Sequence, residues 1–369
     1  MEKILLGSIA DIQTGPFGSQ LHKEDYVQDG TPIVTVEHLG NRVFTEQNLP
    51  MVSDADKERL NKYVLSEGDI VFSRVGSVDR CSYVDSNHSG WMFSGRCLRV
   101  RPYNAIYPLY LYYFFCMEST KQFVRNIAVG ATMPSINTKL MGEIEVSVPS
   151  IDTQKRIAAI LSAIDDKIEL NTAINENLEQ QAQAIYQSMF ISTHYETDRM
   201  GLLSELITVK YGKDHKKLDD GIYPVYGSGG IMRYVEKPIY EKESVLIPRK
   251  GSLNNVMYVD EPFWSVDTMF YTEMKMPNVA KYVFHFVKSK DLASLNAGSA
   301  VPSMTTDILN SMEVRIPSAE RLAEFEELVA PLYRTIKDNI RQSATLASLR
   351  DTLLPKLMNG EINVSAVKI

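Results

Sequence analysis

From Ile157 onward the chain keeps one spacing. Ile157, Leu161, Ile164, Ile168, Asn171, Asn175, Leu178, Ala182, Ile185 and Met189 lie alternately four and three residues apart. This spacing returns side chains to one narrow stripe, so it predicts a helix over 151–192 that buries a seam against a second helix. The rhythm recurs at Phe325, Val329, Leu332, Ile336, Asn339, Ser343, Leu346, Arg350, Leu353 and Leu357, and predicts a second helix over 319–358. At about 1.5 Å per residue each helix would reach ~50 Å. A bend is expected near Pro331, close to the start, where a missing N–H is tolerated best. Both seams turn polar at mid-helix. Paired antiparallel, Asn171 comes opposite Ser343 and Asn175 opposite Asn339, contacts that would fix register at some expense of stability. The alternative is a seam that opens there and solvates its amides.

Outside these stretches the period changes. Short β-type runs such as "DIVFSRVG", "CLRVRP" and "SVLIPRKG" alternate with Gly, Asn and Asp turns. One helix is expected in each half, around 107–126 and 278–296. The first contains "PLYLYYFFCM", which is too short and too rich in tyrosine for a membrane span and reads as a buried helix. The runs come in two copies. "GATMPSINTKLMGEIEVSVPS" from Gly130 aligns without a gap with "GSAVPSMTTDILNSMEVRIPS" from Gly298. "LGSIADIQTG" from Leu6 matches "LSELITVKYG" from Leu203, and "EGDIVFSRVGS" from Glu67 matches "KESVLIPRKGS" from Lys242. Arg74-x-Gly76-Ser77 thus answers Arg249-x-Gly251-Ser252, and Trp91 and Trp264 fall in comparable places. The expected fold is α+β with a pseudo-two-fold internal repeat. Two similar domains, 1–150 and 193–318, each hand over to a long helix, 151–192 and 319–358, before a tail at 359–369. If the helices pair antiparallel, the domains are held apart by a two-helix rod.

Composition narrows the class. A chain of 369 residues suits two domains better than one core. Cys81, Cys97 and Cys116 are odd in number and lack CxxC spacing, which points to reduced thiols in a cytosolic protein. "MEKILLGSIADI" shows no signal-peptide pattern, so a cytoplasmic protein without membrane contact is expected. The net charge of −7 argues mildly against nucleic acid, and no block is strongly basic; residues 201–318 carry 14 basic and 14 acidic side chains. A DNA-binding function would therefore rest on local patches, or on positive charge supplied by a partner.

Catalytic signatures are missing. The sequence has no Walker A motif, no GxGxxG after a strand, no HExxH, no paired CxxC and no adenine-methylating (N/D)PP(Y/F), and its six histidines show no ligand spacing. No metal site is expected. Asp267, Glu273 and Lys275 have the residue types of a Mg²⁺-dependent nuclease, but the first half does not repeat them and strand surface is the simpler reading. Recognition remains. Basic, hydroxyl and aromatic groups gather at turns in both halves: Ser19, Gln20, Lys23, Ser73, Arg74, Ser77 and Arg80 in the first. The second offers Lys210, Tyr211, Lys213, Tyr226, Ser228, Arg233, Arg249, Lys250 and Ser252. Arg can fork onto guanine O6 and N7, Gln onto adenine, and Lys and Ser onto phosphate. A protein–protein adaptor built on a coiled coil is the alternative.

Three segments carry a family resemblance. "VPSIDTQKRIAAILSAIDDKIELN" resembles the opening of the long helix in specificity subunits of type I restriction–modification systems, and "LLPKLMNGEI" resembles the usual end of their second long helix. "YPVYGSGGI" and "VLIPRKGS" look like turns of their target-recognition domains. At the helix-opening position, Gln154 is answered by Leu322, a departure in the second copy. The resemblance implies a non-catalytic DNA-specificity subunit. Two target-recognition domains each read one half of a bipartite double-stranded DNA site, and the antiparallel helices set the spacer. It also implies two methyltransferase subunits and restriction/motor subunits as partners, with S-adenosylmethionine, ATP and Mg²⁺ held by them and no cofactor in this chain. Ile174, Tyr186 and Phe190 are candidates for docking such partners, or for core packing.

Overall fold

The computed structural model describes residues 2–18, 20–192, 198–295 and 303–364. The chain divides into two compact units, one of Met1–Asn171 with Arg341–Ile369 and one of Thr172–Ile340. Each is α+β.

The same sheet plan is built twice. In the first unit Glu2–Leu5 pairs antiparallel with Glu145–Val148. In the second, Arg199–Leu202 pairs with Glu313–Ile316. The strand that enters each domain is thus hydrogen-bonded to the strand that leaves it for the long helix. A four-stranded antiparallel sheet follows, ordered Ala10–Thr14, Cys97–Pro102, Ile70–Ser73, Cys81–Tyr83. Its counterpart runs Ile207–Tyr211, Met269–Met274, Ser244–Pro248, Met257–Val259. The central runs "IVFS" and "SVLIP" are buried at every residue, as expected of strands covered on both faces. A second, smaller sheet holds one parallel pairing in each unit, Thr31–Val34 with Met92–Phe93 and Asp220–Gly227 with Trp264–Ser265. Trp91 and Trp264 therefore do occupy matching places, beside or at the start of that parallel strand.

A buried helix packs on each main sheet. Pro108–Cys116 opens with proline at its first position, where the missing N–H costs nothing, and buries Tyr110, Tyr113 and Phe115. The single helix expected over 107–126 is in fact two. Extended backbone at Met117 breaks it, and Glu118–Ile127 restarts in a direction that buries Thr120 and Val124 while Arg125 reaches Asp79. In the second unit the helix spans Ala280–Lys288, shorter than the expected 278–296. The chain after it is captured instead by Asn254, whose side chain accepts from the Ala293 amide at 3.0 Å and donates to Asp291 at 3.0 Å. No helix among the described residues is long and apolar enough to cross a membrane.

The long helices are Ile151–Tyr186, continued by a π-helical turn Gln187–Ser192, and Ala319–Met358, one unbroken element through Pro331. They pair antiparallel within each unit. In the first unit Asp165 meets Arg350 at 2.7 Å, and Asn171 Nδ2 donates to Ser343 Oγ at 3.1 Å and to Gln342 Oε1 at 2.9 Å. In the second, Asn339 Nδ2 donates to Asn175 Oδ1 at 2.8 Å. Ile157, Ala158 and Leu161 share a core with Leu354, Leu357 and Met358. Ala182, Tyr186 and Phe190 share another with Phe325, Val329 and Tyr333. Tyr186 and Phe190 are therefore core residues, unavailable for docking, while Ile174 is half-buried.

Gln154, at the opening of the first long helix, is buried. It accepts from the Tyr107 amide at 2.7 Å and donates to the Pro149 carbonyl at 2.9 Å, which ties the buried helix of the domain to the long one. Leu322 at the matching place is a fully buried apolar plug. A polar bridge and a hydrophobic plug thus fill equivalent positions, which accounts for the departure in the second copy.

Candidate nucleic-acid interface

Each unit carries one arginine laid over an exposed aromatic ring. The Arg74 guanidinium carbon lies 5.2 Å from the Phe17 ring centre, and that of Arg249 lies 5.3 Å from Tyr211. Both rings are about half exposed, Phe17 at 53% and Tyr211 at 52%. Stacking fixes the plane of a guanidinium without consuming its N–H edge, which stays free to fork onto guanine or phosphate. Arg249 spends one donor on the Asp267 carbonyl at 3.1 Å.

Local sequence explains why both arginines sit where they do. Each begins an Arg-x-Gly-Ser turn whose glycine has positive φ, +76° at Gly76 and +84° at Gly251, a conformation costly for any side chain. The repeated Pro-Ser segment then pins the turn from behind. Ile136 N donates to the Arg74 carbonyl at 3.0 Å, and Met304 N to that of Arg249 at 2.9 Å. Bridges join Val75 to Ser135 and Lys250 to Ser303 in the same way. Ser135 and Ile136, and at the matching places Ser303 and Met304, thus back the two Arg-x-Gly-Ser turns. Glycines also seat the aromatics. A Cβ at Gly15 would lie 2.1 Å from the Ser94 carbonyl oxygen, and one at Gly212 would lie 2.0 Å from that of Val266. Only glycine permits those approaches, next to Phe17 and Tyr211.

The remaining candidates divide. Ser77, Lys213, Lys250 and Ser252 are exposed at the turns, Arg80 is exposed with one N–H given to the Leu39 carbonyl, and Lys210 lies 3.6 Å from Glu273. Ser228 sits half-buried beside Gly251, its carbonyl held by Asn255 at 2.8 Å. Four others make contacts within the fold. Ser73 is fully buried and donates to the Val75 carbonyl at 2.8 Å. Tyr226 packs edge-on against Phe263, and burial pushes its hydroxyl far above the usual tyrosine range. Arg233 is held by Asp220 at 2.7 Å and the Leu218 carbonyl at 3.0 Å. The Gln20 amide oxygen accepts from the Tyr63 hydroxyl at 2.7 Å. Ser73 thus spends its hydroxyl within the fold, whereas Gln20 commits only its amide oxygen and Arg233 only Nη2. Ser19 and the side chain of Lys23 lie outside the described residues.

Sequence reasoning passed over Phe17, Tyr26, Glu37 and Arg96. They line, with Arg80, a groove of about 760 Å³ in the first unit. An exposed aromatic between glycines, as in "GPFG", was the available signal. No group of three or more His, Cys, Asp or Glu among the described residues could hold a metal. The nuclease set is dispersed onto other partners, with Lys275 donating to the Ser204 carbonyl at 2.6 Å and Glu273 facing Lys210.

Relatives agree with this duplicated plan. Type I restriction enzyme MjaIX specificity subunit from Methanocaldococcus jannaschii is 25% identical over 306 residues, 71% of each chain. Type I restriction enzyme HindI specificity subunit from Haemophilus influenzae is 22% identical over 411 residues, covering 82% of this chain and 88% of that one. In fold, the crystal structure of the S subunit of a type I restriction–modification system from M. genitalium matches with a TM-score of 0.59 at 19% identity, covering 96% of this chain and 95% of that one. Residues 1–180 and 196–342 both match the type I restriction modification DNA specificity domain, and the chain belongs to that family.

Proposed function

We propose that this chain is the sequence-reading subunit of a type I restriction–modification complex, each unit reading one half of a split DNA site. The observation that carries this is the pair of equivalent arginine-over-aromatic stacks, each on a glycine turn braced by the same repeated segment. Two rigid, cationic, hydrogen-bonding edges on two related domains suit two short base sequences better than one continuous site.

The chain itself supplies recognition, with no catalytic chemistry of its own. The polar layer of Asn171, Ser343, Asn175 and Asn339 holds the helix register, and through it the gap between the half-sites. Methyl transfer and cleavage belong to partners: two methyltransferase subunits that carry S-adenosylmethionine, and restriction/motor subunits that use ATP and Mg²⁺. Their positive charge would complement a chain whose own net charge is −7. The working compartment in this reading is the cytoplasm.

Single-arginine variants test the assignment. In the assembled methyltransferase complex, Arg249→Ala weakens binding by ~1–3 kcal/mol and relaxes one position of one half-site. Arg74→Ala does the same in the other half-site. The check is the methylated motif of each variant. A uniform loss over all sequences would make the arginine a phosphate contact, and no loss from either variant would contradict the assignment.

A further inference from the structure

One carboxylate in the groove of the first unit is out of keeping with a phosphate-binding surface. Glu37 lines the groove together with Phe17, Tyr26, Arg80 and Arg96, and its side chain is 71% exposed. Among the described residues it forms no ion pair with either arginine. Its support is rigid. Glu37 stands in the middle of a single 3₁₀ turn, Val36–His38. The buried His38 ring fixes that turn: Nδ1 accepts from the Thr35 amide at 3.0 Å, and Nε2 donates to the Gln47 carbonyl at 3.1 Å. The Thr35 hydroxyl donates to Glu37 Oε1 at 3.2 Å, which leaves Oε2 without a hydrogen bond among the described residues.

Two guanidiniums bordering a groove draw in the phosphate backbone. A carboxylate lining the same groove is repelled by that same backbone unless it meets a hydrogen-bond donor. In the major groove the base edges offer donors only at exocyclic amines, cytosine N4 and adenine N6, and the acidic side chains are the natural acceptors for them. Guanine O6 and N7 and thymine O4 are acceptors, so Glu37 penalises them as strongly as it favours an amine. We propose that Glu37 accepts a hydrogen bond from the exocyclic amine of a cytosine or adenine in the half-site read by the first unit. Glu37 is then a specificity-determining residue, selecting by attraction to one base class and by repulsion of the other. The inference rests on the reading of this chain as a DNA-specificity subunit and adds the chemistry that one position must have.

The test is the methylated motif written by the full complex carrying wild-type chain, Glu37→Gln, Glu37→Ala or Glu37→Asp, with Arg249→Ala in parallel. The expected result is a single position, C or A in the wild-type motif, whose discrimination falls roughly tenfold in the Gln and Ala variants. Which of the two bases stands there identifies the amine. That position lies in the half-site that Arg249→Ala leaves alone, and the gap and other half-site are unchanged. Should the Gln and Ala chains fail to assemble, Glu37→Asp decides, because it keeps the charge but shortens the reach and should relax the same position. A wild-type motif from every variant that assembles, or an equal fall at all sites, overturns the role of Glu37. A wild-type complex that writes no split motif overturns the underlying reading, and this inference with it.

Discussion

Removing one heptad from each long helix, around Asn175 in the first and around Asn339 in the second, shortens the gap between the two methylated half-sites by about three base pairs. Seven residues correspond to ~10 Å of helix, and successive base pairs are ~3.4 Å apart. A seven-residue cut restores the four-three spacing of the seam, with only about 20° of rotation left over. Asn171 still faces Ser343 after the cut, so one polar pair remains to hold register. Both half-site sequences should survive, because neither Arg-x-Gly-Ser turn is touched. Cutting the heptad from one helix alone leaves the facing polar positions unmatched, and assembly is expected to fail. The motif written by the double deletion is the measurement, and an unchanged gap would refute the idea that these helices set it.

The second large effect is on stability. Arg350→Ala costs about 3–5 kcal/mol, the range for stripping a buried charge of its partner. Asp165 is 7% exposed and has two described partners, Arg350 Nη1 at 2.7 Å and the Tyr113 hydroxyl at 2.6 Å. Without Arg350 the carboxylate keeps one neutral donor. Arg350 is itself 31% exposed and also contacts Asp351, so Asp165→Ala should cost less than Arg350→Ala. Replacing the whole set, Tyr113→Phe with Asp165→Leu and Arg350→Met, should recover most of the loss, since well-packed apolar groups often equal or better a buried pair. Thermal unfolding of the full-length chain checks the order: Arg350→Ala lowest, Asp165→Ala next, the triple variant near wild type. Equal stability of Arg350→Ala and wild type would contradict the account.

Arg350 also shows where sequence reading stopped. Its seam position was legible from the heptad spacing, but nothing in that spacing explains an arginine among apolar neighbours. The explanation is Asp165, 185 residues earlier, one step off the predicted seam of the first helix. Helices and repeat were legible because period and self-similarity are local or linear properties. The polar partners across the seam were legible too, once an antiparallel pairing was assumed. Met117 was not, since only tertiary packing decides that a buried helix should break there and restart.

The site divides along the same line. Arg74 and Arg249 could be singled out because the Arg-x-Gly-Ser words recur. Phe17 and Tyr211 lie on opposite sides of their matching glycines, Gly15 and Gly212, so no alignment pairs them. Their shared role beneath an arginine exists only in three dimensions. Ser73 has the right chemistry in the right words, yet its hydroxyl is already spent on the Val75 carbonyl, and Gln20 and Arg233 each give part of their polar edge to the fold. Residue type suggests a donor; only the structure shows whether the donor is free.

The most direct test of the central claim is a genome-wide map of adenine methylation by long-read sequencing, in cells carrying the methyltransferase subunit with this chain and without it. The account predicts one split motif with a fixed gap that is methylated only when this chain is present. The same methylation in both cells, with the methyltransferase expressed, would contradict it.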